Sequence, residues 1–289
     1  MRTKFALLAL PAIALFSACS HVEDDMDSVS DPAEVAALTV NVLDCGTIGI
    51  GDLDGFSSAG DYAGQTDVFT DSCFLVRHPE GMLLWDLGVP GMLAGTDGMQ
   101  NGVFDVSLGS TLTSQIQALG LSMDDVDYVS ISHSHFDHIG QAPQVTQATW
   151  LVHEAEAEHM FPADGSAPKV AADQAAMFQA FSGLEKQTFS GEHDVFGDGS
   201  VVIVPTPGHT PGHTSLQLIM PESGPILLTG DLYHRKESRS LKRVPRFNFD
   251  ERATLQSMAA FEARAEAMGA KIIIQHEPDD ITPLGGVIR

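Results

Sequence analysis

The stretch Ser132-His133-Ser134-His135-Phe136-Asp137-His138 places three imidazoles and a carboxylate within six residues. It follows an apolar run, Val126–Ser132, that reads as a buried strand. Residues 133 and 135 are two apart, so an extended backbone points both rings to one side. Imidazole and carboxylate together are the donors that zinc and similar divalent ions take. Further pieces stand just past other apolar runs: Thr206-Pro207-Gly208-His209-Thr210-Pro211-Gly212-His213, Leu228-Thr229-Gly230-Asp231 and Ile274-Gln275-His276. Loops at strand ends are where a scaffold presents ligands, and the glycines let backbone approach closely. A polar turn with chance histidines would not recur at the ends of other strands. His21, His78, His153, His159 and His193 have no such partners and read as surface or structural residues.

These pieces need strands to carry them. Leu38–Cys45, Ser72–Val76, Met82–Asp86, Val126–Ser132, Trp150–Val152, Lys186–Phe189, Val201–Pro205, Thr214–Met220, Ile226–Thr229 and Ile272–Gln275 read as strands, the second and third as a hairpin around His78–Gly81. Gly88–Gly109 reads as a long loop. Helices are expected over Thr111–Leu119, from Ser122, over His153–Met160 and Val170–Phe181, and over Asp250–Met268. In the last of these, Leu255, Met258, Ala259, Phe261 and Ala265 mark one face and Gly269 caps it. Short strands mixed with helices favour two sheets covered by helices over an all-β sandwich.

The chain has 289 residues, with 43% apolar and 19% charged, enough for a large core and incompatible with global disorder. Fifteen Lys+Arg against 39 Asp+Glu leave a formal charge of −24, which repels phosphate backbones and argues against nucleic acid as a partner. Residues 1–19 have a basic start (Arg2, Lys4) and an apolar core from Phe5 to Phe16, too short to span a bilayer. This reads as a signal peptide. Residues 20–37 carry Glu23, Asp24, Asp25, Asp27, Asp31 and Glu34 and read as an acidic, flexible tether, with the folded domain over 38–289. Three cysteines rule out a disulfide scaffold. Cys45 and Cys73 lie on candidate neighbouring strands and are expected as two buried thiols rather than a disulfide.

Ser17-Ala18-Cys19 resembles the lipobox of bacterial lipoproteins, with Phe16 where Leu is usual. The resemblance implies export and a lipid anchor at Cys19 as the sole membrane attachment, in the periplasm or on the outer membrane; plain secretion is the alternative. The histidine and aspartate pieces together resemble the metallo-β-lactamase superfamily over nearly the whole chain from Leu38. That implies an α/β fold, a four-layer αββα sandwich with a dinuclear metal site between the sheets. By the same resemblance His133, His135 and His209 hold one ion, Asp137, His138 and His276 hold the other, and Asp231 bridges both. The ligand set suits two divalent ions, Zn2+ foremost; His135 and His138 argue against the redox-iron branch. His213, four residues past His209, reads as structural. With thirteen residues after His276, no glutathione-binding domain of the glyoxalase II type is expected. Asp231 argues against true β-lactamases, and the acidic charge against the RNA-processing branch.

Two such ions, about 3.5–4 Å apart, would turn a shared water into hydroxide at neutral pH. Asp137 lies beside that nucleophile and is the candidate for carrying a proton to the leaving group. The runs 71–90 (DSCFLVRHPEGMLLWDLGVP), SHSHFDHIG, TPGHTPGHTSL and TGDLYH look like the N-acyl-homoserine lactonase family. There, a tyrosine three residues past the bridging aspartate touches the lactone carbonyl. Here Tyr233 is two residues past Asp231 and His234 is three past, so either is the candidate. Met92, Leu93, Met99, Phe104, Met160, Phe161, Met177 and Phe178 are candidates for an acyl groove, although core packing is the stronger reading for most. Arg235, Lys236, Arg239, Lys242, Arg243, Arg246 and Arg252 read as a structural salt-bridge segment. The expected activity is quorum-quenching lactone hydrolysis on a small-molecule substrate, with a homodimer compatible. An organophosphate triesterase or carboxylesterase, and a non-catalytic metal-binding lipoprotein, are the alternatives.

Overall fold

The computed structural model describes residues 37–289. The expected leader, Cys19, His21 and the acidic stretch up to residue 36 lie outside the described residues. Among those described, no helix is long and apolar enough to cross a membrane.

Two sheets form the centre. The first contains β1 (Thr39–Ile50), β2 (Asp67–His78), β3 (Gly81–Trp85), β4 (Met99–Asn101), β5 (Phe104–Ser107), β6 (Tyr128–Ser130), β7 (Thr149–His153) and β8 (Lys186–Phe189), in the order β4-β5-β1-β2-β3-β6-β7-β8. The second contains β9 (His193–Asp194), β10 (Val201–Pro205), β11 (Thr214–Met220), β12 (Gly224–Leu228) and β13 (Lys271–Ile273), in the order β13-β12-β11-β10-β9. A final short strand, β14 (Val287–Ile288), returns to pair with β1, so β13 is not the last strand as expected. The helices are α1 (Leu112–Ala118), α2 (Phe136–Ile139), α3 (Glu154–Met160), α4 (Ala172–Phe178), α5 (Lys236–Leu241), α6 (Glu251–Met268) and α7 (Pro278–Ile281).

Period-2 alternation sorts the strand side chains into layers. On β2, Phe74 and Val76 point between the sheets to meet Ile203, Leu216 and Leu228. Cys73 and Leu75 point the other way and pack with Leu112 and Ile116 of α1, Ile139 of α2 and Met160 of α3. On β12, Ile226 and Leu228 face the first sheet, while Leu227 packs with Met258, Phe261 and Ala265 of α6. The layers therefore run helix, sheet, sheet, helix, as expected.

Helix α6 has the expected ends: Asp250 accepts the Ala253 N–H at 2.9 Å, and Gly269 takes a left-handed φ of +63°. Its buried face differs. Leu255 and Ala259 are exposed, whereas Thr254 and Ser257 are buried. The polar pair faces inward because both have partners there: Ser257 Oγ donates to the Pro207 carbonyl at 2.7 Å, and Thr254 bonds Asn248. Gly88–Gly109 is not one loop; β4 and β5 form a hairpin that extends the first sheet along β1. The start expected at Ser122 is only a 3-10 turn, Met123–Asp125.

Strand β1 runs past Cys45 because Gly46 belongs to a β-bulge rather than a break. The pairing register shifts between Asp44 and Gly46, opposite Ser72 and Asp71, and leaves Cys45 as the extra residue. The bulge turns Cys45 toward Cys73, with Cα atoms 5.7 Å apart, and the two form a disulfide. This corrects the expectation of two thiols. The bond closes a loop with a sequence separation of 28, so Cys45→Ser with Cys73→Ser should cost about 3 kcal/mol in urea unfolding. A loss under about 1 kcal/mol, or two free thiols in the unreduced 37–289 region by alkylation and mass analysis, would contradict the bond.

Candidate metal centre

The loops after β6, β10, β12 and β13 end at one edge of the sandwich, where the first sheet contributes residues 131–135 and the second contributes the other three loops. His133, His138, His209, Asp231 and His276 are each at most 3% exposed. Their donor atoms form two groups. His133, His135, His209 and Asp231 have ligand atoms all within 4.8 Å of one another, and so do Asp137, His138 and His276. Asp231 joins the groups. Its Oδ1 lies 2.9 Å from His276 Nε2 and 3.1 Å from His138 Nε2; its Oδ2 lies 3.5 Å from His133 Nε2 and 3.4 Å from His209 Nε2.

A divalent cation fits this donor set. His135 Nδ1 is 2.9 Å from His133 Nε2 and 3.0 Å from His209 Nε2. Two neutral imidazole nitrogens can share one proton, but a third aimed at the same point is left without one. Burial, then the neighbouring histidines, holds His133 and His135 well below the usual histidine pKa. They are neutral and present lone pairs. At His138 burial opposes charge but the carboxylates of Asp231, Asp86 and Asp137 outweigh it. At His276 the same contest, led on the carboxylate side by Asp231, pushes the pKa up to about 9.

Outer partners fix the rings. His138 Nδ1 lies 3.1 Å from Asp86 Oδ2, and His276 Nδ1 donates to the Thr70 carbonyl at 2.9 Å. Asp86 accepts the Ser132 N–H at 2.6 Å and a Gln275 Nε2–H at 2.8 Å. Gln275 in turn accepts Trp85 Nε1–H at 3.1 Å and the Gly230 N–H at 3.0 Å. Such partners orient metal-binding imidazoles. Asp86 takes a φ of +61°, rare for a residue with a Cβ. The sequence offered Asp86 only as part of the 71–90 run, and nothing in it singled out Gln275. His213 belongs to neither group of donors. Its Nε2 accepts the Asp231 N–H at 2.9 Å while Nδ1 meets the Thr206 carbonyl at 3.1 Å. Burial lowers its pKa to about 3, so it stays a neutral acceptor beneath Asp231.

Tyr233 does not reach the centre, which corrects its candidacy. After the turn at 230–232 the backbone is extended, so adjacent side chains leave on opposite sides. Tyr233 points outward, packs with Phe261 and donates its hydroxyl to Glu262 at 2.9 Å. His234 points inward, with Nε2 3.0 Å from Asp231 Oδ2 and its ring stacked on His276. Both His234 and Asp137 line a pocket of about 270 Å³ over the two groups. Its apolar walls are mainly Ile48, Ile50, Phe56, Phe69, Phe136 and Phe247. Of the proposed groove residues only Phe104 joins them. Met92, Met99 and Met177 border a neighbouring hollow that shares Phe136, and Leu93, Met160, Phe161 and Phe178 pack in the cores.

Five of the seven residues of the basic segment are held in ion pairs. Arg235 meets Asp67 at 2.7 Å, Lys236 meets Asp280 at 3.1 Å, Arg239 meets Glu262 at 2.7 Å, and Arg243 and Arg246 pair with Asp61 and Asp54. Of the unassigned histidines, His78 pairs with Asp198 at 3.1 Å, His153 caps α3, and His193 stacks on Phe189.

A family profile described as the Metallo-beta-lactamase superfamily matches residues 66–270. The chain is 32% identical over 217 residues to the N-acyl homoserine lactonase AttM of Azorhizobium caulinodans, covering 71% of this chain and 81% of AttM. Its fold is similar to that of a Bacillus thuringiensis AiiA variant with N-decanoyl-L-homoserine bound at the active site: TM-score 0.70, 24% identity, 85% of this chain and 95% of that one. It is also similar to AidC, a dizinc quorum-quenching lactonase: TM-score 0.65, 18% identity, 86% of this chain and 89% of that one. With the four-layer sandwich and the clustered donors at its edge, these matches show that the chain belongs to the metallo-β-lactamase superfamily.

Proposed function

We propose that this protein is a dinuclear metal hydrolase, with Zn2+ as the resident ion, that opens the lactone ring of N-acyl-homoserine lactones. The observation that carries this is Asp231, whose two oxygens face the two ligand groups separately beneath an apolar pocket. His133, His135 and His209 would hold one ion, Asp137, His138 and His276 the other, and Asp231 both. Bound there, two divalent ions polarise a carbonyl and activate water at neutral pH.

The chain's own residues supply the rest. The phenylalanine-rich walls bury an acyl chain and exclude bulk water from the ring. Asp137 faces the pocket and takes a proton from the attacking water as it adds to the lactone carbonyl carbon. The ring C–O bond then breaks, and the same proton passes to the departing ring oxygen, leaving an N-acyl-homoserine. His234 lines the pocket and is held neutral by burial, its one N–H on Asp231 Oδ2; with Asp231 committed to the cations, that N–H would be free to donate to the substrate carbonyl. The curated relative AttM, named as an N-acyl homoserine lactonase, supports the bond, and the dizinc AidC supports the metal. The leader-like start supports an exported enzyme, anchored through Cys19 in the bacterial envelope.

On a panel of acyl-homoserine lactones, aryl esters and phosphotriesters, kcat/KM should be highest for the lactones. Preference for triesters or aryl esters by orders of magnitude would contradict the lactonase reading, and a metal-loaded protein inert on the whole panel would contradict an enzyme. His234→Phe should lower kcat on lactones at least about tenfold, the loss of one oriented hydrogen bond in the transition state. Tyr233→Phe should change kcat less than about twofold and cost about 1 kcal/mol of stability through the lost bond to Glu262. The reverse pattern would place Tyr233 on the substrate.

A further inference from the structure

The three histidines of the first ligand group arrive on two loops from different sheets. Helix α3 lies across both, and its Glu156 is 1% exposed. Glu156 Oε1 accepts the Ser134 N–H at 2.8 Å, in the peptide between His133 and His135. Its Oε2 accepts the Thr210 hydroxyl at 2.8 Å and the Gly212 N–H at 2.9 Å, in the loop directly after His209. One buried carboxylate thus has one oxygen on each histidine loop. The fit is close: a Cβ on Gly212 would stand 2.2 Å from the Glu156 backbone nitrogen. From α4, Gln174 Nε2 donates to the Ser134 carbonyl at 2.9 Å, so both backbone polar groups of that residue are held.

We propose that Glu156 is a positioning residue for the three-histidine half of the centre. It sets the spacing between the His133–His135 loop and the His209 loop, and so the affinity of that half for its cation, without touching the ion. The other half has supports of its own that Glu156 does not touch: Asp86 and Gln275 behind His138, and the Thr70 carbonyl behind His276. Loss of Glu156 therefore acts on one ion. Glutamine at 156 keeps the shape but turns an NH2 group toward an N–H or hydroxyl donor, so one loop loses its anchor. This inference rests on the two-cation reading above.

The test is Zn2+ titration of the apo full-length protein, wild type, Glu156→Gln and Thr210→Val, in competition with a chromophoric chelator, with thermal unfolding of each apo form. Wild type should take two ions. Glu156→Gln should keep one affinity at its wild-type value and weaken the other at least about tenfold. Thr210→Val, missing one of the three bonds, should weaken the same ion about fivefold. Two unchanged affinities in Glu156→Gln, or both weakened together alongside a lower apo melting temperature, would overturn the inference while leaving the two-cation reading standing. Fewer than two ions on wild type would overturn that reading and the inference with it. Should Glu156→Gln not fold, the same split in Thr210→Val decides.

Discussion

One buried carboxylate, Asp231, stands between imidazoles from both sheets. It meets His133 and His138 from the β6 side and His209, His234 and His276 from the other. A lone carboxylate at 3% exposure would be expelled or protonated. Here the surrounding histidines outweigh burial and hold its pKa well below the usual range. The carboxylate is thus ionised where a pair of cations needs a shared anion. Its backbone is fixed from below by His213, whose neutrality follows from its own burial.

That arrangement places demands on everything beneath it. Four loops must end together, and the strands carrying them are short and largely buried, apart from the exposed start of β13. Gln275 ties Asp86 and Trp85 of the first sheet to Gly230 of the second. The chain around 235–246 is held down by arginine and lysine pairs to acidic residues elsewhere, which anchors the segment leading away from His234. The alternation at 233 and 234 then assigns the two side chains opposite tasks. Tyr233 secures α6 through Glu262, and His234 faces the pocket.

Much of this is legible in the residues themselves. The donors recur at strand ends with enough density that a chance polar turn is a poor explanation, and helix α6 announces its ends through Asp250 and Gly269. What stays hidden depends on register and on partners distant in sequence. Cys45 faces Cys73 only because a bulge inserts an extra residue, and Gly46 looks like a strand break until that pairing exists. Leu255 reads as the natural inward residue of α6, but Ser257 displaces it by bonding the distant Pro207 carbonyl, and Thr254 by bonding Asn248 just before the helix. Strands β4 and β5 are too short to show alternation. Glu156 sits in an acidic run, His153–His159, where one glutamate looks like the next; only its three donors distinguish it.

The most direct test of the central claim is anomalous diffraction at the zinc edge from crystals of the Zn2+-loaded protein. Two peaks should appear about 3.5–4 Å apart, one on either side of the Asp231 carboxylate, with His209 nearest one and His276 nearest the other. A single peak, or a pair that leaves Asp231 unshared, would contradict the account.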